Sequence, residues 1–255
     1  MTRENIADIL CIGCQKGSTS WLHSVLRAHP RTYRFPNSEP VTSTDKEAHF
    51  WDWNHQRGVD WYRNLLMPDD PAKLSMDFTP EYAFLNDHQI DECKVLNPTA
   101  RVIYILRDPL ARAVSAIRMH MLWHLGKDHA EPLHLDERFY FFAQNARLAQ
   151  HGDYLRNLRA WQHRYPDLIV LNYEDFHTDR EGSVRQIYAD LSLDIAEADP
   201  QKLGALMGSR IWESEKFPMD RAVLMFLQGL SWRFRQEAAQ ELDMRFAEGE
   251  RLLGA

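Results

Sequence analysis

Two short stretches bring together residue types that bind anionic groups. In Gly13-Cys14-Gln15-Lys16-Gly17-Ser18-Thr19-Ser20 a glycine ends an apolar run, a lysine stands in the turn, and small hydroxyl residues open the next element. Such a loop offers an anion backbone N–H groups, the positive end of a helix dipole and an ammonium group, so phosphate or sulfate is its natural guest. Serine and threonine also cap helices in proteins that bind nothing, and glycine shortens any strand-to-helix turn. Lys16 precedes Gly17 and is not followed directly by Ser or Thr, which departs from the ATP-binding P-loop pattern.

The second stretch is Arg107-Asp108-Pro109-x-x-Arg112-x-x-Ser115. Arginine supplies a planar fork suited to phosphate and serine a compact extra donor, so Arg107 and Ser115 are candidates for a second phosphate. The alternative for Arg107 is an ordinary ion pair. Asp108 reads as a helix cap, not a metal-holding aspartate, which weakens a magnesium-dependent kinase. His120 and His124 have a metal-compatible i, i+4 spacing, and Cys11 and Cys14 form C-x-x-C, yet neither pair has the further ligands that complete a site. No metal is expected; His120 and His124 could instead line an acceptor pocket with Trp123. The aromatic run Phe139 to Phe142 reads as core or lid.

These residues need elements to hold them. Ala7 to Gly13 reads as a buried strand, and Ser18 to Ala28 as a helix with Trp21, Leu22, Val25 and Leu26 on one face, closed by His29-Pro30. Arg101 to Leu106 (RVIYIL) predicts a second strand, followed by a helix that Asp108 caps and Pro109 begins. Leu168 to Leu171 predicts a third strand, between helices near Tyr154 to Tyr165 and Gly182 to Leu191. Strands alternating with helices imply an α/β fold with a parallel sheet covered on both faces. The polar, then aromatic-rich stretch from about 36 to 60 reads as a functional loop, and 200 to 255 as a helical region.

Composition sets the outer limits. At 255 residues and 44% hydrophobic content, the expectation is one domain over 1–255. A net charge of −7 argues against nucleic acid or an anionic membrane as partner, so any anion site must be a local cluster of donors. Three cysteines do not suggest a disulfide framework, and the start of the chain lacks an apolar leader, so a cytoplasmic location is expected.

Two anion sites at the ends of two parallel strands suit a nucleotide with separated phosphates. Their sequences resemble the 5′-phosphosulfate loop and 3′-phosphate motif of sulfotransferases that use 3′-phosphoadenosine 5′-phosphosulfate (PAPS). That family's loop usually reads K-x-G-T-x-x-L; this chain has K-G-S-T-S-W-L, with Ser18 in place of the glycine. The segment from Lys46 to Trp53 (KEAHFWDW) is similar to the K-E-x-H-F-F-D-W segment of the heparan sulfate sulfotransferase branch. Ser75 to Tyr82 (SMDFTPEY) is similar to its E-K-T-P-x-Y segment, and Tyr154 to Pro166 to its Y-x-x-x-L-x-x-W-x-x-x-F-P helix. The active-site lysine of E-K-T-P is Phe78 here. Beyond residue 200 the match fades to Ser209-Arg210 and Lys216-Phe217-Pro218.

The resemblance implies a P-loop-like sulfotransferase fold and an acceptor that is a small molecule or glycan, with oligomeric state left open. It implies that Gln15, Lys16, Gly17, Ser18, Thr19, Ser20 and Trp21 surround the 5′-phosphosulfate, and that Arg107 and Ser115 read the 3′-phosphate. Lys16 would stabilise the leaving oxygen. Glu47 would be the acceptor's base, with His49 the rival by residue type, and Lys46, Asp77 and Phe78 would contact the substrate. The competing readings are an ATP-dependent small-molecule kinase and a catalytically inactive nucleotide-binding module.

Overall fold

The computed structural model describes residues 3–36, 45–208 and 217–253. Ser209, Arg210 and Lys216 of the faded match lie outside the described residues, as does 37–44 of the predicted loop. In chain order the main elements are β1 (Ile9–Gly13), α1 (Thr19–Leu26), β2 (Thr32–Tyr33), α2 (Val59–Leu66), β3 (Leu74–Asp77), α3 (Asp87–Leu96), β4 (Arg101–Leu106) and α4 (Pro109–Leu125). They continue with α5 (Glu137–Asn145), α6 (Leu148–Gly152), α7 (Tyr154–Gln162), β5 (Ile169–Asn172), α8 (Tyr173–Thr178), α9 (Arg180–Asp190), α10 (Pro200–Gly208), α11 (Arg221–Leu242) and α12 (Ala247–Leu253).

The chain folds into two compact units, one made of Met1–Cys14, Ser18–Leu106 and Asn157–Ile211, the other of Gln15–Gly17, Arg107–Arg156 and Trp212–Ala255. The first contains a five-stranded sheet in the order β2-β3-β1-β4-β5, and every pairing in it is parallel. This is the α/β architecture that the alternation of strands and helices predicts. β4 shows why: Ile103 and Ile105 point to the side covered by α1 and α9, where Trp21, Leu22, Val25, Ile187 and Tyr188 join them. Tyr104 points the other way, its hydroxyl accepting from Asn157 at 3.3 Å. Burying each large aliphatic chain contributes about 1.5–3 kcal/mol, so two covered faces hold the strand ends firmly.

β1 occupies the middle of the sheet and ends in Gly13, whose φ of 143° and surroundings both demand glycine. A Cβ there would lie 3.1 Å from the Pro80 carbonyl oxygen and 3.3 Å from the Tyr104 ring. Cys11, Cys14 and Cys93 are all buried thiols, and burial pushes the Cys11 thiol up to about 12. The second unit packs α4 against α5 and α11 through Val114, Ile117, Phe139, Phe142, Val223 and Leu227. In the aromatic run Phe139 and Phe142 face inward, whereas Tyr140 and Phe141 are half exposed, as the helical period requires. No described helix is long and apolar enough to cross a membrane.

Candidate active site

In the first unit, the segment from Lys46 to Asn54 is fastened to the exit of β3. Asp77, the last residue of β3, is fully buried and accepts four hydrogen bonds: from Ala48 N–H (3.1 Å), the Thr79 hydroxyl (2.7 Å), and the hydroxyls of Tyr62 and Tyr82 (3.0 Å each). Thr79 also accepts from His49 N–H at 3.2 Å, Tyr82 accepts from Phe50 N–H at 2.7 Å, and Phe78 N–H donates to the Lys46 carbonyl at 2.7 Å. Burial raises the Asp77 pKa against these donors.

Asp77 and Phe78 therefore do not face a substrate. Asp77 holds the segment that carries the candidate base, and Phe78, with no exposed surface, packs into the sheet core beside His23. The sequence placed both among the substrate contacts; as consecutive residues they point to opposite sides, and both sides are covered, Asp77 by Tyr62 and Tyr82 and Phe78 by the core beside His23.

The segment then turns at His49, whose φ of 50° is left-handed, into a wide turn closed by Asn54 N–H donating to the His49 carbonyl at 2.9 Å. Single turns of this i→i+5 kind recur at functional sites. The turn puts Asp52 three residues on and on the same side, so that His49 Nδ1–H donates to Asp52 at 2.8 Å while Nε2–H points to Glu47 at 3.4 Å. Lys46 pairs with Glu47 from the adjoining position. Trp53 lies flat on the His49 ring, with centroids 3.6 Å apart and planes 6° apart.

Exposure separates the roles of these side chains. His49 is 1% exposed and Lys46 8%, whereas Glu47 is 16% exposed and so is the one of the three that a solute reaches best. Burial works against the charge on Glu47, but the Lys46 ammonium and the hydrogen bonds from His49 and Lys46 outweigh it and hold the carboxyl well below the usual carboxylate range. Burial also disfavours a charged His49, yet its bonds to Asp52 and Glu47 push it up to about 10. At neutral pH His49 is a cation with two donors and nothing to accept a proton.

Sequence reasoning missed two carboxylates beside His49, those of Asp52 and Glu81. Their oxygens and a His49 ring nitrogen lie within 4.8 Å of one another, a spacing that would also suit a cation; here the imidazolium supplies the positive charge. Burial pushes Glu81 up to about 7 against the pull of the His49 cation, and the Glu47 and Asp52 charges add to the rise. The i, i+3 spacing of His49 and Asp52 was the available signal for one; Glu81 gave none.

These shifts set a sign for stability against pH. The bonus from His49 is complete below its ordinary 6.5 and disappears as pH rises toward about 10. The penalty for ionising Glu81 enters between its ordinary 4.5 and about 7, in the same downward direction. Glu47 stays ionised across that range and adds no slope. Buried His23, His120 and His151, held neutral by desolvation, act in the opposite direction around pH 6.5, so the test is the difference from His49→Gln: the parent's melting temperature should fall relative to that variant's as pH rises from about 7 towards 10. A difference that stays constant over this interval would contradict the charge assigned to His49.

The loop from β1 to α1 runs through two left-handed residues, Lys16 (φ 65°) and Ser18 (φ 72°). Ser18 thus adopts the backbone that the glycine of the resembling motif adopts freely. Its hydroxyl makes no capping bond; it meets His177 Nε2 at 3.1 Å, and His177 in turn lies 3.2 Å from Arg180. A left-handed non-glycine costs about 1–2 kcal/mol and a hydrogen bond contributes about 1 kcal/mol. Ser18→Gly should accordingly melt near the parent, and Ser18→Ala, which keeps the strain and loses the bond, should be less stable by about 1 kcal/mol.

Thr19, Ser20 and Trp21 form the first turn of α1, where backbone N–H groups have no acceptor within the helix. Gln15 and Lys16 are half-buried and Gly17 is buried. In the second unit the Lys16 carbonyl accepts from Arg107 Nη1–H at 2.7 Å. The Arg107 carbonyl accepts from the Tyr154 hydroxyl at 2.6 Å. Asp108 caps α4 as predicted, accepting from Leu110 N–H at 2.9 Å. Ser115 is buried on α4. His120 is buried and His124 stacks on it at 6.2 Å, with Trp123 63% exposed beside them.

Residues 7–204 match a family described as the sulfotransferase domain. Among curated proteins, the chain is 25% identical over 193 residues to heparan sulfate glucosamine 3-O-sulfotransferase 3B1 of Mus musculus, covering 74% of this chain and 47% of that one. The chain spans about half the length of the curated relatives of this kind. Among solved structures, a sulfotransferase from Alicyclobacillus acidocaldarius superposes with a TM-score of 0.69 over 98% of this chain and 100% of that one at 16% identity. The sulfotransferase domain from the Curacin biosynthetic pathway gives 0.57 over 96% of this chain and 100% of that one at 14% identity.

Proposed function

The chain belongs to the sulfotransferase family, and from that premise we propose that it moves a sulfuryl group from PAPS to a hydroxyl, or an amine, of a small-molecule or carbohydrate-like acceptor. The observation that carries this reading is the setting of Glu47: an ionised, partly exposed carboxylate aligned by a lysine and an imidazolium. A carboxylate so placed takes the acceptor's proton as its oxygen or nitrogen attacks sulfur. The bond from sulfur to the bridging phosphate oxygen breaks in line, and its electron pair stays on that oxygen as 3′,5′-adenosine bisphosphate leaves.

Lys16 stabilises that developing charge, the N–H groups from Gly17 to Ser20 and the Thr19 hydroxyl bind the 5′-phosphate, and Arg107 with Ser115 reads the 3′-phosphate. His49, already protonated, orients Glu47 instead of competing as the base. The curated relative named above acts on heparan sulfate glucosamine, and a sugar-like acceptor is in keeping with Trp53, whose half-exposed ring offers a flat apolar face beside the base. The loss of the branch's lysine at Phe78 speaks against a polyanionic polymer. A panel of hydroxyl and amine acceptors incubated with PAPS under chelator tests the proposal. Sulfated product and bisphosphate should form in equal amounts; no turnover of PAPS, with ADP and phosphorylated acceptor forming once ATP and magnesium are supplied, would point to the kinase reading.

A further inference from the structure

Arg107 presents to phosphate the edge formed by Nε–H and Nη2–H, the two parallel donors of its fork. In the second unit that edge is taken by a carboxylate: Nε–H donates to Glu248 Oε2 at 2.8 Å and Nη2–H to Glu248 Oε1. Glu248 belongs to α12, which is fastened to the same segment one residue on, where Gly249 N–H donates to Asp108 Oδ2 at 2.8 Å. Asp108 is itself fixed, 1% exposed, capping α4 and paired with Arg235 at 3.4 Å. A Cβ on residue 249 would fall 2.2 Å from Asp108 Oδ2, so glycine is what lets α12 come close enough for Glu248 to reach the fork. Arg235 further braces this end by lying over the Phe246 ring at 4.7 Å.

We propose that Glu248 is a built-in competitor for the nucleotide's 3′-phosphate, occupying the Arg107 fork until that phosphate displaces it. The inference rests on the reading of Arg107 as the 3′-phosphate contact. A carboxylate carries one negative charge and a phosphate monoester nearly two at neutral pH, so phosphate wins the exchange but gains only the difference. The bisphosphate product is thereby bound less tightly than Arg107 alone would hold it, which favours its departure in a class of reaction step that often limits turnover. A nucleotide without a 3′-phosphate has nothing to exchange for Glu248 and is insensitive to it.

Calorimetric titration of 3′,5′-adenosine bisphosphate and adenosine 5′-phosphate into the parent, Glu248→Gln, Gly249→Ala and Arg107→Ala proteins tests this. Glu248→Gln should bind the bisphosphate about tenfold more tightly and the monophosphate unchanged. Gly249→Ala, which pushes α12 off Asp108, should shift affinity the same way; Glu248→Gln keeps size and shape and decides the matter even if Gly249→Ala folds poorly. Unchanged or weaker bisphosphate binding in Glu248→Gln, with Arg107→Ala clearly weakened, would overturn the competitor role and leave the donor reading standing. Arg107→Ala binding the bisphosphate like the parent would overturn both.

Discussion

Glu47→Gln should lower kcat by roughly 10² to 10⁴ while leaving bisphosphate affinity nearly unchanged. The amide keeps the size and much of the hydrogen bonding of the carboxylate, and the segment is held by Asp77, Thr79 and Tyr82 whatever stands at 47, so the loss reports proton transfer and not folding. His49→Asn should be milder, because the ring orients the base and is already protonated near neutral pH, its value lying at about 10. An amine acceptor that is neutral at high pH needs the base less. Recovery of Glu47→Gln at high pH would therefore assign N-sulfation, and a deficit that persists would assign O-sulfation. Parent-like turnover of Glu47→Gln at neutral pH beside an inactive His49→Asn would make His49 the base.

Lys16→Ala should lower kcat by about 10² to 10³, the scale seen when one donor to a developing oxyanion is removed. Lys16 lies in a loop, half-buried, and contributes its backbone carbonyl to Arg107; the substitution deletes the ammonium and retains that carbonyl. The melting temperature should stay within a few degrees of the parent. The comparison with Lys16→Arg is informative, since a planar guanidinium places its charge differently from a compact ammonium and should restore only part of the rate. A Lys16→Ala protein with near-normal kcat would remove the residue from the chemistry.

What the sequence made legible follows from how local each signal is. β4 and α4 are readable to within a residue or two because RVIYIL is bounded by an aspartate cap and a first-turn proline. β3 is not, because LSMD is only four residues long and its apolar–polar alternation would put Ser75 and Asp77 on an exposed face; both are buried instead, where Asp8 and the tyrosine hydroxyls meet them. That also explains Asp77 and Phe78, whose place beside a family active-site position suggested contact with substrate. Lys46 to Trp53 stands out through its resemblance, but Glu81 joins that cluster only through the short turn of Pro80–Phe84. Glu248 meets Arg107 across 141 positions of sequence, and no local pattern could have announced it.

Whether the proposed donor site reads two separated phosphates is measured directly by magnesium-free calorimetry. 3′,5′-Adenosine bisphosphate should bind at least tenfold more tightly than adenosine 5′-phosphate, since a charge-assisted hydrogen bond to phosphate contributes about 1.5–3 kcal/mol, and Arg107→Ala should close most of the gap. Equal affinity for the two nucleotides, or a requirement for magnesium before either binds, would contradict that reading.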